Sequence, residues 1–374
     1  MGDGNCRMSN VDCRLKRTIQ HSTIGTRHSI IPNPQSAICN RQAAIRFGLL
    51  PAFIALLAGC EPPAMTPNGV IGIFGGVGLG PGAFSYPRAI TAEPHGSVFV
   101  VDKSGRVQRF APDGTFEASW RMPETAAGKP VGLTVHPDGR IFVADTHYHR
   151  IMIFNRDGKL LGSFGREGTG DGEFLLPTDV AVDADGFLYV SEYQGNDRIT
   201  KWAPDSCGGR LSCGGRHFTF VAALGDTPLD GKRLSRPAGI DIDDEQTLWI
   251  ADACNHRIVR LSLDGELLAT FGRFGAEPGE LRYPYDLSIA PDGTIMVCEY
   301  EGNRLQWFSK QGTSLRIWGG GGRRPGELFA PWGATFGPGG KIYVVDSLNS
   351  RVQIIRAAGF SPHGLKPAAR VRHP

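Results

Sequence analysis

Three regularities of this 374-residue sequence predict an all-β protein, a six-bladed β-propeller of four-stranded antiparallel blades closed by an N-terminal strand that pairs with the last blade. A Pro opens each of six units, at Pro87, Pro130, Pro177, Pro237, Pro284 and Pro331. A carboxylate follows each Pro by 15 residues, as Asp102, Asp145, Glu192, Asp252, Glu299 and Asp346, and an Arg comes four to six residues later. An aromatic-Gly pair and a glycine-rich stretch precede most of the prolines, as in FGREGTGDGEFLLP (Phe164–Pro177). The Pro-to-Pro intervals are 43, 47, 60, 47 and 47, the size of one propeller blade.

Each unit supplies four strands in order. Unit 3 displays the first three, PTDVAVDADGFLYVSEYQGNDRITKW (Pro177–Trp202): one run after the Pro, one after the DG turn and one after the polar loop. The fourth precedes the aromatic-Gly pair. The last unit lacks it, since the chain there reads SPHGLKP from residue 361. The missing strand is VIGIF (Val70–Phe74), which stands before unit 1 without a unit of its own. Pairing the two ends leaves no free sheet edge. The propeller is therefore placed at residues 70–360, with 361–374 as a disordered tail.

Residues 47–59, FGLLPAFIALLAG, form an apolar run behind Arg41 and Arg46. That is short for a membrane span and suits a signal-peptide core. Residues 1–40 fit no signal peptide and are read as a disordered extension or an upstream start. Residues 1–59 hold seven Lys/Arg against two Asp/Glu, so of the net +3 the part from Cys60 onward carries −2. A slightly acidic folded part argues against nucleic acid as a partner.

Leu57-Ala58-Gly59-Cys60 resembles the bacterial lipobox. The resemblance implies lipidation of Cys60, a tether over 60–69, and attachment to the membrane in the bacterial cell envelope. Glu61, rather than Asp, in the next position points to the periplasmic face of the outer membrane or the cell surface. Unit 4, PAGIDIDDEQTLWIADACNHRIVRL (Pro237–Leu261), resembles the NHL repeat, and units 2, 5 and 6 are close to it. That resemblance implies a propeller that binds its partner over one mouth of the channel. The RNA binding of some animal NHL proteins conflicts with secretion and with the charge. The zinc lyases of the family hold their metal with channel histidines, one directly after a repeat Pro. Here those positions are Arg88, Val131, Thr178, Ala238, Tyr285 and Trp332. The channel carboxylates and Asn of gluconolactonase-like enzymes are not matched in spacing.

In an antiparallel meander the loops between second and third strands share a face with the connections between blades. That face nominates Tyr148, His149, Tyr193, Asn196, His256, Tyr300, Asn303 and Trp332 for ligand binding. Units 3 and 5 also differ from the rest together. They carry Asp179 and Asp286 two residues after the Pro, where the others have Gly or Ala, and Glu192 and Glu299 where the others have Asp. These four carboxylates could hold Ca²⁺ or another divalent cation through their oxygens. The Arg of each blade, always after an acid in one loop, predicts an intrablade salt bridge rather than an anion-binding ring. Cys207 and Cys213, in the unit 3 insertion, suit a disulfide in an oxidising compartment, and Cys254 is expected to be a free mouth-loop thiol. The resulting expectation is a monomeric, membrane-tethered scaffold that binds a protein, peptide or carbohydrate and requires no cofactor. The alternative is a metal-dependent hydrolase or lyase using the channel carboxylates.

Overall fold

A computed structural model of the chain describes residues 69–93, 96–205 and 218–356. Cys60, Cys207, Cys213 and the two terminal segments lie outside the described residues.

A short strand, β1 (Val70–Gly75), comes first. Blade 1 follows as β2 (Pro87–Ala92), β3 (Val98–Asp102), β4 (Arg106–Phe110) and β5 (Phe116–Arg121). Blade 2 is β6 (Gly132–Val135), β7 (Ile141–Asp145), β8 (Arg150–Phe154) and β9 (Leu160–Phe164). Blade 3 is β10 (Pro177–Val182), β11 (Leu188–Glu192), β12 (Arg198–Pro204) and β13 (Phe218–Leu224). Blade 4 is β14 (Pro237–Ile242), β15 (Thr247–Asp252), β16 (Arg257–Ser262) and β17 (Leu267–Phe271). Blade 5 is β18 (Pro284–Ile289), β19 (Ile295–Glu299), β20 (Arg304–Phe308) and β21 (Ser314–Gly319). Blade 6 is β22 (Gly333–Gly337), β23 (Lys341–Asp346) and β24 (Arg351–Arg356), completed by β1 against β24. The antiparallel register Phe74↔Val352 closes the ring with the strand that the sequence places there.

Burial explains the sequence pattern strand by strand. Second strands such as β3, β7 and β11 are buried at every position, because both faces of a blade's middle pack on neighbours. They read as unbroken apolar runs for that reason. The outermost β5 alternates between half-buried and exposed residues, since its outer side meets water. The core is six separate clusters, one in each blade–blade interface. One joins Phe99, Val101 and Val107 of blade 1 to Ile141 and Val143 of blade 2. Another joins Phe74 and Val352 of blade 6 to Phe84 and Val100 at blade 1.

The aromatic-Gly signature has a steric cause. Gly75, Gly165 and Gly272 adopt φ of 101°, 86° and 94°, and a Cβ there would fall 2.5, 2.3 and 2.7 Å from Phe84, Phe174 and Leu281. Glycine both makes the turn and admits the residue three before the next Pro.

The per-blade Arg binds the acid of its own loop, as read from the sequence. Arg257 Nε donates to Asp252 at 2.7 Å, Arg351 to Asp346 at 2.7 Å and Arg198 to Glu192 at 2.6 Å. The same guanidinium also pins the loop that enters its blade. Arg257 donates to the carbonyls of Leu229 and Lys232, and Arg351 to those of Arg324 and Glu327. The acid in turn accepts a backbone N–H from that loop, such as Ser235 to Asp252 and Phe329 to Asp346. The invariant spacing is therefore one clasp repeated around the ring.

Candidate functional site

The six inner strands line a channel cavity of about 290 Å³. Their ladders break just after the Pro, between Pro87 and Ala89, Pro177 and Asp179, Pro237 and Ile240, and Pro284 and Asp286. Such irregularities re-aim side chains. Here they bring residues one and two after the Pro to the channel wall. The mouth layer is Arg88, Val131, Thr178, Ala238, Tyr285 and Trp332. Bulk is confined to blades 5, 6 and 1, while blades 2, 3 and 4 present small residues.

Below it the next layer alternates. Asp179 and Asp286 face Gly132 and Gly239 of the preceding blades, where a Cβ would lie 2.8 and 2.5 Å from the carboxylate Oδ1. Each acid also reaches forward: Asp179 accepts the Ile240 N–H at 3.0 Å, and Asp286 accepts that of Ala334 at 3.0 Å. Asp241, one layer deeper, accepts the Ile289 N–H at 2.9 Å. Three carboxylates thus staple blade 3 to 4, 4 to 5 and 5 to 6. Burial pushes the Asp241 carboxyl up to about 6. Burial raises Asp179 and Asp286 as well, and the charge of Asp286 adds to the effect on Asp179. All three are half-buried and face the channel, so water in it tempers the effect.

Glu192 and Glu299 do not join these aspartates. Both are fully buried in the clasps of their blades, on Arg198 and Arg304 at 2.6 Å each. Each also accepts the N–H of its entering loop, Leu175 in blade 3 and Arg282 in blade 5, as the Asp of other blades do. Among the described residues no group of three or more His, Cys, Asp or Glu is placed to hold a metal ion. Of the shared departures of units 3 and 5, the Asp residues join neighbouring blades and the Glu residues serve the clasps.

The mouth wall is aromatic and cationic. The guanidinium of Arg236 lies between the rings of Tyr193 and Tyr285, at 5.1 and 5.0 Å. Tyr285 stacks on Tyr300 at 4.5 Å with 17° between planes. The four side chains form one column from blade 3 to blade 5. Trp332 meets Tyr285, Tyr300 and Tyr86 edge-on at 5.1, 5.5 and 5.7 Å. Arg88 lies over the Trp332 ring at 5.0 Å, and the Tyr86 and Tyr300 hydroxyls are 3.3 Å apart.

Of the eight nominated mouth residues, Tyr193, Tyr300 and Trp332 come together in this wall. His149, His256 and Asn303 share another position, a left-handed residue with φ of 51°, 54° and 52°. Each accepts the N–H of the residue before the next Pro: Leu176, Tyr283 and Ala330. They latch neighbouring blades. Asn196 donates to Glu192, and Tyr148 accepts the Ala127 N–H beneath Arg150. Cys254 is not free but disulfide-bonded; Cys298 is the free, buried thiol among the described residues. Tyr86, Arg88, Arg236, Asp241 and Tyr285 were not nominated. Positions flanking each Pro, scanned for bulk rather than for His alone, would have shown all but Asp241.

Closed blades of four strands around a lined channel define a six-bladed β-propeller. Residues 127–197 match a family described as a 6-bladed beta-propeller, and residues 234–261 match the NHL repeat. The chain is a six-bladed β-propeller whose fourth blade carries an NHL repeat. It is 30% identical over 118 residues to "Protein brain tumor" of Drosophila melanogaster, covering 31% of this chain and 10% of that protein. It is 30% identical over 128 residues to "NHL repeat-containing protein 3" of Homo sapiens, covering 31% of this chain and 35% of that protein. The chain thus spans about a tenth and a third of these curated relatives. Among solved structures, a streptogramin B lyase is 17% identical with a TM-score of 0.54, covering 75% of this chain and 96% of that one. A Bacteroides thetaiotaomicron protein of unknown function is 13% identical with a TM-score of 0.56, covering 76% and 72%. At such identities the likeness is one of fold.

Proposed function

We propose that this propeller is a binding module that takes a peptide segment of a partner protein over the channel mouth, tethered to the bacterial cell envelope through lipid on Cys60. The observation that carries the reading is the wall of Tyr86, Tyr285, Tyr300 and Trp332, half-buried beside an open cavity. Rigid aromatic rings with polar tips supply contact area at low entropic cost. The NHL repeat fits a scaffold role, and a disulfide at Cys254 fits an oxidising compartment. Carbohydrate is the other ligand that such rings can seat.

Titrating a pool of random pentapeptides is expected to change the fluorescence of the wild-type protein saturably. Tyr300→Ala is expected to weaken that binding about tenfold. No saturable change with peptides, or a change only with oligosaccharides, would overturn the peptide reading. The tether predicts that Cys60→Ser releases the protein from the membrane fraction of a bacterial host. Retention of that variant would sink the lipid anchor.

A further inference from the structure

The chemistry of the ligand can be narrowed from one side chain, on the premise that the mouth binds peptide. Arg236 stands immediately before a repeat Pro, with φ of 55°. Asp197 accepts its backbone N–H, which fixes the start of its side chain. The rings of Tyr193 and Tyr285 then flank its guanidinium, at 5.1 and 5.0 Å. A guanidinium held against aromatic rings keeps its N–H donors directed outward in its own plane. That plane is where a planar two-oxygen anion is bound bidentately.

The usual occupant of such a fork is missing. Each clasp arginine has a carboxylate within 2.6–2.9 Å, from Arg106 on Asp102 to Arg351 on Asp346. Arg236 has no carboxylate within salt-bridge distance and no side-chain hydrogen bond among the described residues. It is half-buried and lines the cavity. Two further cations stand at the mouth, while Asp179, Asp241 and Asp286 line the cavity below it. Arg88 lies across the mouth on Trp332, and Lys103 lies over Tyr86 at 5.6 Å. Thr178 and Ala238, the residues next to Arg236 along the rim, are small and leave room for an incoming group.

We infer that the mouth receives a peptide carboxylate, with Arg236 as the residue that binds it and the Tyr285–Tyr300 stack as the wall beside it. A chain end suits the geometry better than a side chain within a long loop, because the cavity is only about 290 Å³ and lies within the ring of inner strands. No covalent step is involved.

The test is calorimetric titration with one pentapeptide pool in two forms, free acid and C-terminal amide. Wild-type protein is expected to bind the free acid about tenfold or more tightly than the amide. Arg236→Gln should remove that preference, so that acid and amide bind this variant equally. Arg236→Lys should restore it only in part, since an ammonium offers charge without the fork. Thermal melting of both variants confirms that they are folded. A free-acid preference that persists in a folded Arg236→Gln overturns the role of Arg236. Equal binding of acid and amide by wild type overturns the carboxylate and leaves the peptide-binding reading standing. Binding of neither form overturns both.

Discussion

Arg257→Ala is expected to destabilise the propeller by about 3–5 kcal/mol, the range for breaking a buried ion pair from one side. The loss comes less from the attraction removed than from what stays behind. Asp252 is fully buried, and burial already raises its carboxyl above the ordinary range even with Arg257 beside it. Alanine leaves that carboxylate with Ser235 N–H and Asn255 as its donors. It also releases the carbonyls of Leu229 and Lys232, so the loop entering blade 4 loses its pin. Arg273→Ala is the control. Arg273 pairs with Glu280 at 3.0 Å, but its side chain is 81% exposed, so no measurable loss is expected. Urea unfolding of both variants decides the matter. Equal stabilities for Arg257→Ala and Arg273→Ala would show that the clasp contributes nothing.

Stability is expected to fall as pH rises from about 4 to about 7, by on the order of 2–3 kcal/mol from Asp241 alone. The sign follows from the direction of the shift. Unfolded aspartate ionises near the ordinary value of about 4. Folded Asp241 holds its proton to about 6, and Asp179 and Asp286 are raised too. Between those values the folded state binds more protons, so alkali favours unfolding until all are ionised. Two histidines are among the groups that act the other way. Burial lowers His147 and His256, which therefore resist protonation when folded and weaken the protein as pH falls below about 6.5. The aspartate share is isolated by comparing wild type with Asp241→Asn and Asp286→Asn at pH 5 and pH 8. Each variant keeps one acceptor for a backbone N–H and is expected to flatten the profile. An unchanged slope in both would mean that the channel carboxylates ionise normally.

Where the sequence succeeded, the physics repeats with the chain. One clasp per blade places an acid 15 residues after each Pro and an Arg just beyond it, so counting clasps counts blades. Steric need at Gly75, Gly165 and Gly272 makes the aromatic-Gly pair visible. The sequence SPHGLKP from residue 361, which has no strand pattern, and the strand-like VIGIF at Val70–Phe74 point to the closing pair, and β1 pairs with β24.

Contacts at the candidate site do not repeat, and they join residues far apart in sequence. Arg236 reaches Tyr193 and Tyr285, and Tyr86 reaches Tyr300, because inner strands from different blades converge at one mouth. A local pattern cannot show which of six equivalent positions will meet. Nor can it separate a ligand residue from a latch: His149, His256 and Asn303 look available in their loops until the neighbouring blade supplies the N–H they accept. The sequence by itself determined the number of blades, their strand order and the closure, because those follow from periodic burial and a repeated ion pair. Only the tertiary structure decided that Asp179 and Asp286 staple adjacent blades, that Glu192 and Glu299 serve the clasps, and that Arg236 stands in the mouth without a carboxylate. The reason is physical: burial periodicity is written along each strand, whereas the company a side chain keeps across the channel is set by where the ring closes.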